Sequence, residues 1–460
     1  MNRPRVVVVG GGLAGLSTAI RCADNGWDVT LLEGKPRLGG QTYSFTRGDL
    51  VVDNGQHVFL RCCTSYRSFL DRLGVSHLVR LQGRLDVPIV DTATGRRHRL
   101  RRNRLPAPLH LAPALLRYGA LSPLQRLRLA RAMQAMGKVD ATSEAADSTS
   151  FGDWLRAHGQ DARTVEAVWD LIGVATLNAR ADDASLALAA TVFQVGLLTD
   201  TAAGDLGWSR VPLQRLHGDP AAAELARLGA SVRCGARVEA ITRGSQGWSV
   251  RLRDGEDIAA DAVVLAVAPA AAERLLPPGA TSLPAGWAER LGTAPILNVH
   301  LVYSSRVMDE PYLAGLGSVV PWVFDSTDQV GLAQGQAVTV PISAADDLID
   351  LPAAVIRDQV SEVLATMLPR TRQAELVDCF VTREREATFR PAPGSRALRH
   401  GPVTALPGLL LAGAWTDTGW PATMEGAVRS GDAAAAALGQ PQRTKLASRL
   451  STSPTEGVPA

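Results

Sequence analysis

The chain has 460 residues, 46% hydrophobic and 20% charged, which is typical of a folded globular protein long enough for two domains. Its formal net charge of +3 is too small to indicate nucleic-acid binding, and its five cysteines lack the spacing of a metal site or a disulfide framework. No apolar run of about eighteen residues predicts a membrane-spanning helix. The odd number of cysteines indicates free thiols in a reducing cytoplasm, so we expect a cytoplasmic protein without a metal.

The first forty residues predict a dinucleotide-binding unit. An apolar strand at 6–9 leads into Gly10-Gly11-Gly12-Leu13-Ala14-Gly15, which matches G-x-G-x-x-G. The first glycine of this motif permits a tight turn, the second lets the backbone approach a pyrophosphate, and the third lets helix and strand pack closely. A helix and a second strand follow, and that strand ends on Glu33, which is placed to bind ribose hydroxyls.

A second glycine pair indicates which dinucleotide binds. Arg37-Leu38-Gly39-Gly40 resembles the extended motif of flavoproteins related to amine oxidases and carotenoid desaturases. Nicotinamide dehydrogenases usually lack this pair, so FAD is the expected cofactor. An apolar strand then stops on the polar turn Asp53-Asn54-Gly55-Gln56-His57, a common way to bring side chains against a ligand.

The composition changes between residues 84 and 104. Six arginines crowd around His98 and precede an apolar segment with several prolines: Arg96, Arg97, Arg99, Arg101, Arg102 and Arg104. Basic residues beside an apolar surface are typical of a protein that rests on an anionic membrane. The alternative is a solvated arginine strand beside an ordinary core helix. Helical composition then continues to about Thr199 and includes a predicted core helix at 184–198.

The dinucleotide fold is predicted to resume after this helical block. Short strands are expected at 231–234, 238–242 and 248–252, and a buried strand at 262–268. Alternating segments between 277 and 383 predict a sheet that carries the substrate pocket. Residues 409–431 predict a buried strand, a glycine turn and a helix that begins near Pro421, with its N-terminus aimed at the flavin.

Three separated blocks carry a resemblance to a known family. Residues 10–40, Val238 in its strand and residues 412–431 together resemble the FAD-binding domain of the amine oxidase and phytoene desaturase superfamily. The turn at 53–57 and the stretch at 415–427 are similar to its squalene-associated branch, the hydroxysqualene dehydroxylases. The resemblance covers nearly the whole chain except its C-terminal tail.

The resemblance implies an α/β fold, a Rossmann-like FAD-binding domain of the amine oxidase and glutathione reductase type with an inserted α+β substrate domain. The FAD-binding domain is expected at 1–83, 205–276 and 401–439. The substrate domain is expected to have a helical part at 84–204 and a sheet part at 277–400. A disordered tail is expected at 440–460, because that stretch is polar and rich in Ser, Thr and Pro.

The resemblance also implies a set of contacts to non-covalently bound FAD. The residues expected to make them are Gly10, Gly12, Leu13, Ala14, Gly15, Glu33, Gly34, Lys35, Gly39, Gly40, Gln41, Gly55, Gln56, His57, Val238, Gly413, Ala414, Thr423, Met424 and Ala427. Two of them depart from the wider pattern, since an arginine is usual at Gln41 and an aspartate at Ala414. Each departure removes a polar contact to FAD.

The implied reaction is the reductive removal of an allylic hydroxyl, which converts hydroxysqualene to squalene. Hydroxide is a poor leaving group, so an acid must protonate it, and the allylic cation needs a dry, apolar pocket. His57 is the first candidate acid, because its unperturbed pKa of about 6.5 suits proton transfer near neutrality. Asp417 is the second, and Asn54 and Gln56 are also expected to face the flavin. Glu425 is expected to anchor a loop or the FAD ribose.

The sequence also leads to expectations about the partners of the protein and about alternative functions. The partners are a long apolar isoprenoid and, through residues 96–104, the inner face of a membrane. A carotenoid-type desaturase would use the same fold to oxidise its substrate. An amine oxidase usually builds an aromatic cage, and the chain has only five Tyr and eight Phe. A non-catalytic isoprenoid-binding protein is a further alternative, against which the intact glycine motifs argue.

Overall fold

The structure is a computed structural model that describes residues 3–245 and 247–440. The predicted disordered tail lies outside the described residues, apart from residue 440. Within the described ranges, no helix is both long enough and apolar enough to cross a membrane.

The described residues form strands that occur both singly and in consecutive runs along the chain. In order, they are β1 (Arg5–Val9), β2 (Asp28–Glu33), β3 (Ser44–Arg47), β4 (Leu50–Asp53), β5 (Val58–Leu60), β6 (Val79–Leu81), β7 (Asp86–Asp91), β8 (Arg97–Arg101), β9 (Leu206–Ser209), β10 (Ser231–Cys234), β11 (Val238–Gly244), β12 (Gly247–Leu252), β13 (Asp257–Ala260), β14 (Ala262–Leu265), β15 (Thr293–Tyr303), β16 (Tyr312–Leu316), β17 (Trp322–Asp325), β18 (Gln336–Ser343), β19 (Leu376–Phe389) and β20 (Leu409–Leu411).

The helices include three π-helical segments. The α-helices are α1 (Leu13–Asp24), α2 (Thr64–Arg72), α3 (Ala112–Leu116), α4 (Pro123–Met136), α5 (Glu144–Ser148), α6 (Phe151–Ala157), α7 (Ala162–Thr164), α8 (Leu171–Leu177), α9 (Leu186–Phe193), α10 (Asp219–Arg227), α11 (Pro269–Leu275), α12 (Trp287–Leu291), α13 (Thr327–Val330), α14 (Ala353–Met367) and α15 (Met424–Leu438). The π-helical segments are Val165–Asp170, Gln194–Leu198 and Gln214–Gly218. The 3₁₀ turns are Ser76–Leu78, Leu109–Leu111, Ala181–Asp183, Pro369–Arg372 and Ser395–Leu398.

A parallel sheet forms the dinucleotide-binding part of the molecule, in the order β10-β2-β1-β14-β20. Its central strand reads Arg-Val-Val-Val-Val, and all four valines are buried. Val6 and Val8 pack with α1 on one face, whereas Val7 and Val9 pack with the antiparallel sheet β11-β12-β13 on the other. Helices α1 and α15 pack closely together, since a Cβ on Gly431 would lie 2.3 Å from the Ala14 carbonyl oxygen. The fold is therefore the predicted Rossmann-like α/β class.

A mixed sheet lies in the substrate-binding part, in the order β19-β15-β18-β17-β16-β7-β8. Strands β7 and β8 come from the block predicted to be helical, so that prediction is incomplete. Strand β7 pairs in parallel with β16, which follows it by more than 200 residues, and no local pattern encodes such a pairing. The predicted core helix at 184–198 is α9 continued by a π-helical turn. The predicted domain boundaries stay a prediction.

Candidate functional site

A cavity of about 1130 Å³ connects the dinucleotide-binding sheet to the substrate-binding part. It begins at the carboxyl ends of β1 and β2, where Gly10 and Glu33 line it. It continues between the helices and the mixed sheet, where its lining includes Leu111, Val192 and Phe324. This volume exceeds the range that is common for a site holding one small molecule, about 300–1,000 Å³. The cavity therefore has room for a dinucleotide and a second ligand.

The glycine turn is closed against side chains except where a ligand would approach. A Cβ on Gly10, whose φ is +110°, would lie 2.3 Å from the Ala266 carbonyl oxygen, and one on Gly15 would lie 1.9 Å from the Gly10 oxygen. Gly40 faces Gly12, and a Cβ added to Gly40 would lie 2.7 Å from the Gly12 Cα. In contrast, a Cβ on Gly12 would meet only the Gly40 Cα, at 3.6 Å. Gly12 thus leaves open space at the N-terminus of α1, where an anion binds favourably.

Glu33 is held by backbone donors at the end of β2. Gly11 N–H donates to its Oε2 at 2.6 Å, and Lys35 N–H donates to its Oε1 at 2.7 Å. An ionised carboxylate has about four lone-pair sites, so both oxygens can still accept hydrogen bonds from ribose hydroxyls. Val238 begins β11 beside this corner, is 5% exposed and lines the cavity.

The N-terminus of α15 borders the cavity, three residues later than predicted. Thr423 caps the helix by accepting a hydrogen bond from Gly426 N–H at 3.1 Å, so the helix begins at Met424 rather than near Pro421. Glu425, in the first turn, is 1% exposed and accepts from Tyr66 N–H at 2.7 Å. Glu425 therefore anchors α15 to the N-terminus of α2, as the loop-anchor expectation states.

The polar turn after β4 is built mainly as a scaffold. The Asn54 side-chain amide donates to the Gln41 carbonyl at 2.9 Å and to Glu384 Oε1 at 3.1 Å. Asn54 is 3% exposed, so its side chain is committed to protein contacts. A Cβ on Gly55 would lie 2.4 Å from the Asn298 amide, so this glycine is required by protein packing. Asn54 consequently positions the turn at the cavity wall, and its expected place facing the flavin stays a prediction.

His57 lines the cavity, and its surroundings favour the neutral form of the ring. Its Nδ1 lies 3.0 Å from the Gly55 carbonyl oxygen, and because a carbonyl only accepts, Nδ1 carries the hydrogen. Nε2 then bears a lone pair. Burial lowers the pKa of His57, and the Gly55 carbonyl and the Glu384 charge only partly oppose this effect. Burial therefore favours the neutral ring, whose Nε2 can accept a hydrogen bond, and the role of His57 as the acid stays a prediction.

Asp417 lies outside the cavity lining, which corrects its prediction as a catalytic group. Its backbone N–H donates to the His400 carbonyl at 3.0 Å, and its carboxylate lies 4.0 Å from Arg396 Nε. The loop that contains Asp417 is fixed by Arg399, whose guanidinium donates to the carbonyls of Trp415 at 3.0 Å and of Thr416 at 2.9 Å. Burial lowers the pKa of Arg399 to about 10, so it remains charged.

The sequence analysis missed several carboxyl groups of the cavity wall, among them Glu384 and Asp170. Glu384 Oε1 accepts hydrogen bonds from the Tyr43 hydroxyl at 3.0 Å and from Asn54, beside the His57 turn. Burial, and then the Glu384 charge, raise the pKa of Tyr43, which keeps its hydroxyl protonated as a donor. Asp170 ends a π-helical segment in the cavity wall, and burial raises its pKa to about 6. Only the charge of these residues could have drawn attention to them in the sequence.

The structure brings nearly all of the predicted cofactor contacts to this one cavity. Gly15 is the exception, since it packs α1 onto the turn instead of lining the space. Gln41 lines the cavity at an exposed position and donates to the Glu386 carbonyl at 3.2 Å. Gln56 and Ala414 also line it.

The chain matches known proteins over almost its full length. The family model described as "Flavin containing amine oxidoreductase" matches residues 13–439. The chain is 32% identical to the hydroxysqualene dehydroxylase of Rhodopseudomonas palustris, over 94% of this chain and 97% of that protein. It is 24% identical to the zeta-carotene desaturase of Zea mays, over 93% and 82% of the two chains. The solved structure of putrescine oxidase bound to putrescine superposes with a TM-score of 0.72, at 20% identity over 95% and 99% of the chains.

Proposed function

The chain belongs to the flavin containing amine oxidoreductase family, and on that premise we propose that it reduces hydroxysqualene to squalene. In this reaction the allylic carbon–oxygen bond breaks, a carbon–hydrogen bond forms with a hydride, and the hydroxyl leaves with a proton as water. The 32% identity to a hydroxysqualene dehydroxylase over nearly the whole of both chains supports this reaction. The 24% identity to a carotene desaturase gives weaker support to the alternative reaction, the desaturation of a carotenoid.

The proposed cofactor is FAD, bound without a covalent link. The open space at Gly12 and the carboxylate of Glu33 fit a pyrophosphate and a ribose at the positions that the glycine motif requires. Gly39 and Gly40 leave the same face free of side chains. When bound in its reduced form, the flavin would supply the hydride that replaces the hydroxyl. The chain's own residues must then bind the substrate, exclude water and provide a proton.

The observation that carries the proposal is the long apolar extension of the cavity beyond the cofactor frame. Its walls include Leu111, Leu115 and Met133 on one side and Trp322 and Phe324 on the other. Such a space suits a long hydrocarbon and excludes water, so an allylic cation would meet hydride before it meets water.

The proton is proposed to come from the cluster around Glu384. This carboxyl shares one wall of the cavity with His57, and its Oε1 accepts hydrogen bonds from Tyr43 and Asn54. It would act as the acid in its protonated form, which can donate through Oε2 while Oε1 still accepts. Neutral His57 can accept a hydrogen bond from the substrate hydroxyl through Nε2, which would orient that hydroxyl toward Glu384. Asp170 is the second proposed proton donor, because its pKa of about 6 leaves a fraction of the molecules with a protonated Asp170 near neutrality.

A pair of anaerobic assays distinguishes the proposal from its alternative. The protein loaded with FAD and reduced chemically is mixed with hydroxysqualene, and the oxidised protein is mixed with phytoene. We expect flavin reoxidation and squalene in the first mixture, and no flavin reduction in the second. Reduction of the flavin by phytoene, with no squalene from the first mixture, would replace the proposal by the desaturase function.

A further inference from the structure

An exposed leucine surface lies on the segment that follows β8. It comprises five leucines whose exposed fractions range from 45% to 68%: Leu105, Leu109, Leu116, Leu124 and Leu127. They belong to the stretch that runs from the end of β8 through α3 into α4. Few large apolar residues are exposed elsewhere in the described part of the chain, so a cluster on one segment indicates a partner.

The same segment carries only positive charge. No Asp or Glu occurs between residues 103 and 139, while that stretch contains six basic residues: Arg104, Arg117, Arg126, Arg128, Arg131 and Lys138. Among the described residues, none of these six has a carboxylate oxygen within 4.0 Å of its charged nitrogens. Arg104, Arg117, Arg128 and Arg131 are exposed. The exposed leucines are thus interspersed along this segment with cations that lack an acidic partner.

The neighbouring arginine strand β8 differs from this segment. Arg99 and Arg101 both pair with Asp86, at 2.5 and 3.2 Å, and Arg97 lies 3.3 Å from Glu310. Arg102, just beyond the strand, pairs with a fully buried aspartate at 2.6 Å. These charges are largely balanced within the protein. The charge without an acidic partner therefore lies mainly beyond β8, from Arg104 onward, and overlaps only in part with residues 96–104, where the sequence predicted it.

The leucine surface covers the apolar end of the cavity. Leu111 and Leu115 line the cavity, whereas Leu109 and Leu116, one or two residues away, face outward. The segment is fixed in place, since Tyr118 is 1% exposed and its hydroxyl donates to a backbone carbonyl of the π-helical segment beneath it at 3.0 Å. One short stretch of chain therefore separates the cavity from the leucine surface.

We propose that the leucine surface docks on an anionic lipid bilayer and that the cavity receives its apolar ligand from that bilayer. The leucines would enter the boundary of the acyl chains, and the interspersed arginines would bind lipid phosphates. A protein partner is the less suited occupant, because exposed leucines interspersed with cations, without any acidic residue along the segment, match the acyl boundary and the phosphates of an anionic headgroup layer. The transfer of ligand rests on the proposed function, whereas the docking does not.

The test is co-sedimentation of the FAD-loaded protein with vesicles of phosphatidylcholine alone or mixed with phosphatidylglycerol. Each arginine near an anionic surface contributes about fivefold in partitioning, so Arg104→Gln, Arg117→Gln and Arg128→Gln together should weaken binding to the mixed vesicles roughly 100-fold. Replacing Leu109, Leu116 and Leu124 by Ser should weaken binding about fivefold per site, because each leucine is already about half buried. High salt should remove the arginine effect and keep the leucine effect.

A matched control uses exposed residues on other elements. Val355→Ser and Val377→Ser should leave binding unchanged, although both valines are 40% or more exposed. Wild-type binding that is equal for both vesicles, or unchanged by the arginine replacements, would overturn the proposal. A lipid-free dimer that the leucine replacements dissociate would also overturn it, by assigning the surface to a second copy of the chain.

A second readout separates this proposal from the proposed function. With ligand dispersed in detergent, the leucine variant should react as the wild type does, because none of the three leucines lines the cavity. With ligand supplied in vesicles, its rate should fall in step with the loss of binding. If the protein does not react with hydroxysqualene at all, the vesicle-binding results still show whether the leucine surface docks on an anionic bilayer.

Discussion

Replacing Gly12 by alanine should separate flavin binding from folding. The Gly12 backbone has φ −77° and ψ 177°, which alanine adopts readily, and the new Cβ would lie 3.6 Å from the Gly40 Cα, an ordinary contact. A Gly→Ala change at such a position stabilises a protein by about 0.4–1 kcal/mol through the unfolded state. The apoprotein of Gly12→Ala should therefore be as stable as the wild type or slightly more so.

The same methyl group would occupy the space through which a pyrophosphate approaches the N-terminus of α1. The loss of two charge-assisted hydrogen bonds, at about 1.5–3 kcal/mol each, would weaken FAD binding at least ~100-fold. FAD titration of the apoprotein by fluorescence and thermal unfolding measure the two effects. Gly83→Ala is the control, because no atom lies within 4 Å of the position that its new methyl group would take and it is remote from the turn. Wild-type FAD affinity in Gly12→Ala would refute the assignment of this turn to the pyrophosphate.

Three further predictions concern the proton donor and the pH dependence of stability. Glu384→Gln should slow squalene formation in a single turnover by about 100-fold or more and leave FAD affinity unchanged. Glu386→Gln, on the same strand, is the control and should have little effect. Equal rates for the two variants would show that Glu384 is not the acid. Asp417→Asn should react within about twofold of the wild type, because Asp417 does not line the cavity, and a loss as large as that of Glu384→Gln would restore it as a candidate. Burial lowers the pKa of His217 to about 3, so this residue binds fewer protons folded than unfolded, and its contribution to stability is lost as the pH falls below about 6.5. Relative to His217→Gln, the wild type should therefore lose about 2 kcal/mol of unfolding free energy between pH 6.5 and 4.5 in denaturant titrations, and a constant difference would contradict the burial of a neutral ring.

The dinucleotide frame was predictable because its signals are local. The glycines of the turn, the valines of β1 and the acid that ends β2 each follow from backbone geometry or burial within a few residues. The start of α15 was missed by three residues because Thr423, an ordinary N-cap residue, follows a proline that is equally suited to a first turn.

The chemical groups of the cavity were less predictable because they meet through the tertiary fold. Glu384 contacts Asn54 across 330 residues of sequence, and the contact arises from the docking of β19 beside the turn. Arg399 stabilises the loop around Asp417 through backbone carbonyls, and a lone arginine in a sequence gives no sign of such a role. The pKa of His57 depends on burial by distant elements, so its unperturbed value was a poor guide.

The central claim is that the protein transfers a hydride to hydroxysqualene. The most direct measurement is the mass of the squalene formed when the FAD-loaded protein is reduced chemically in D₂O and mixed anaerobically with unlabelled substrate. Because the transferable hydrogen of reduced flavin exchanges with solvent before the reaction, we predict one carbon-bound deuterium per squalene and one squalene per flavin reoxidised. Squalene without deuterium, or reoxidised flavin without squalene, would contradict the account.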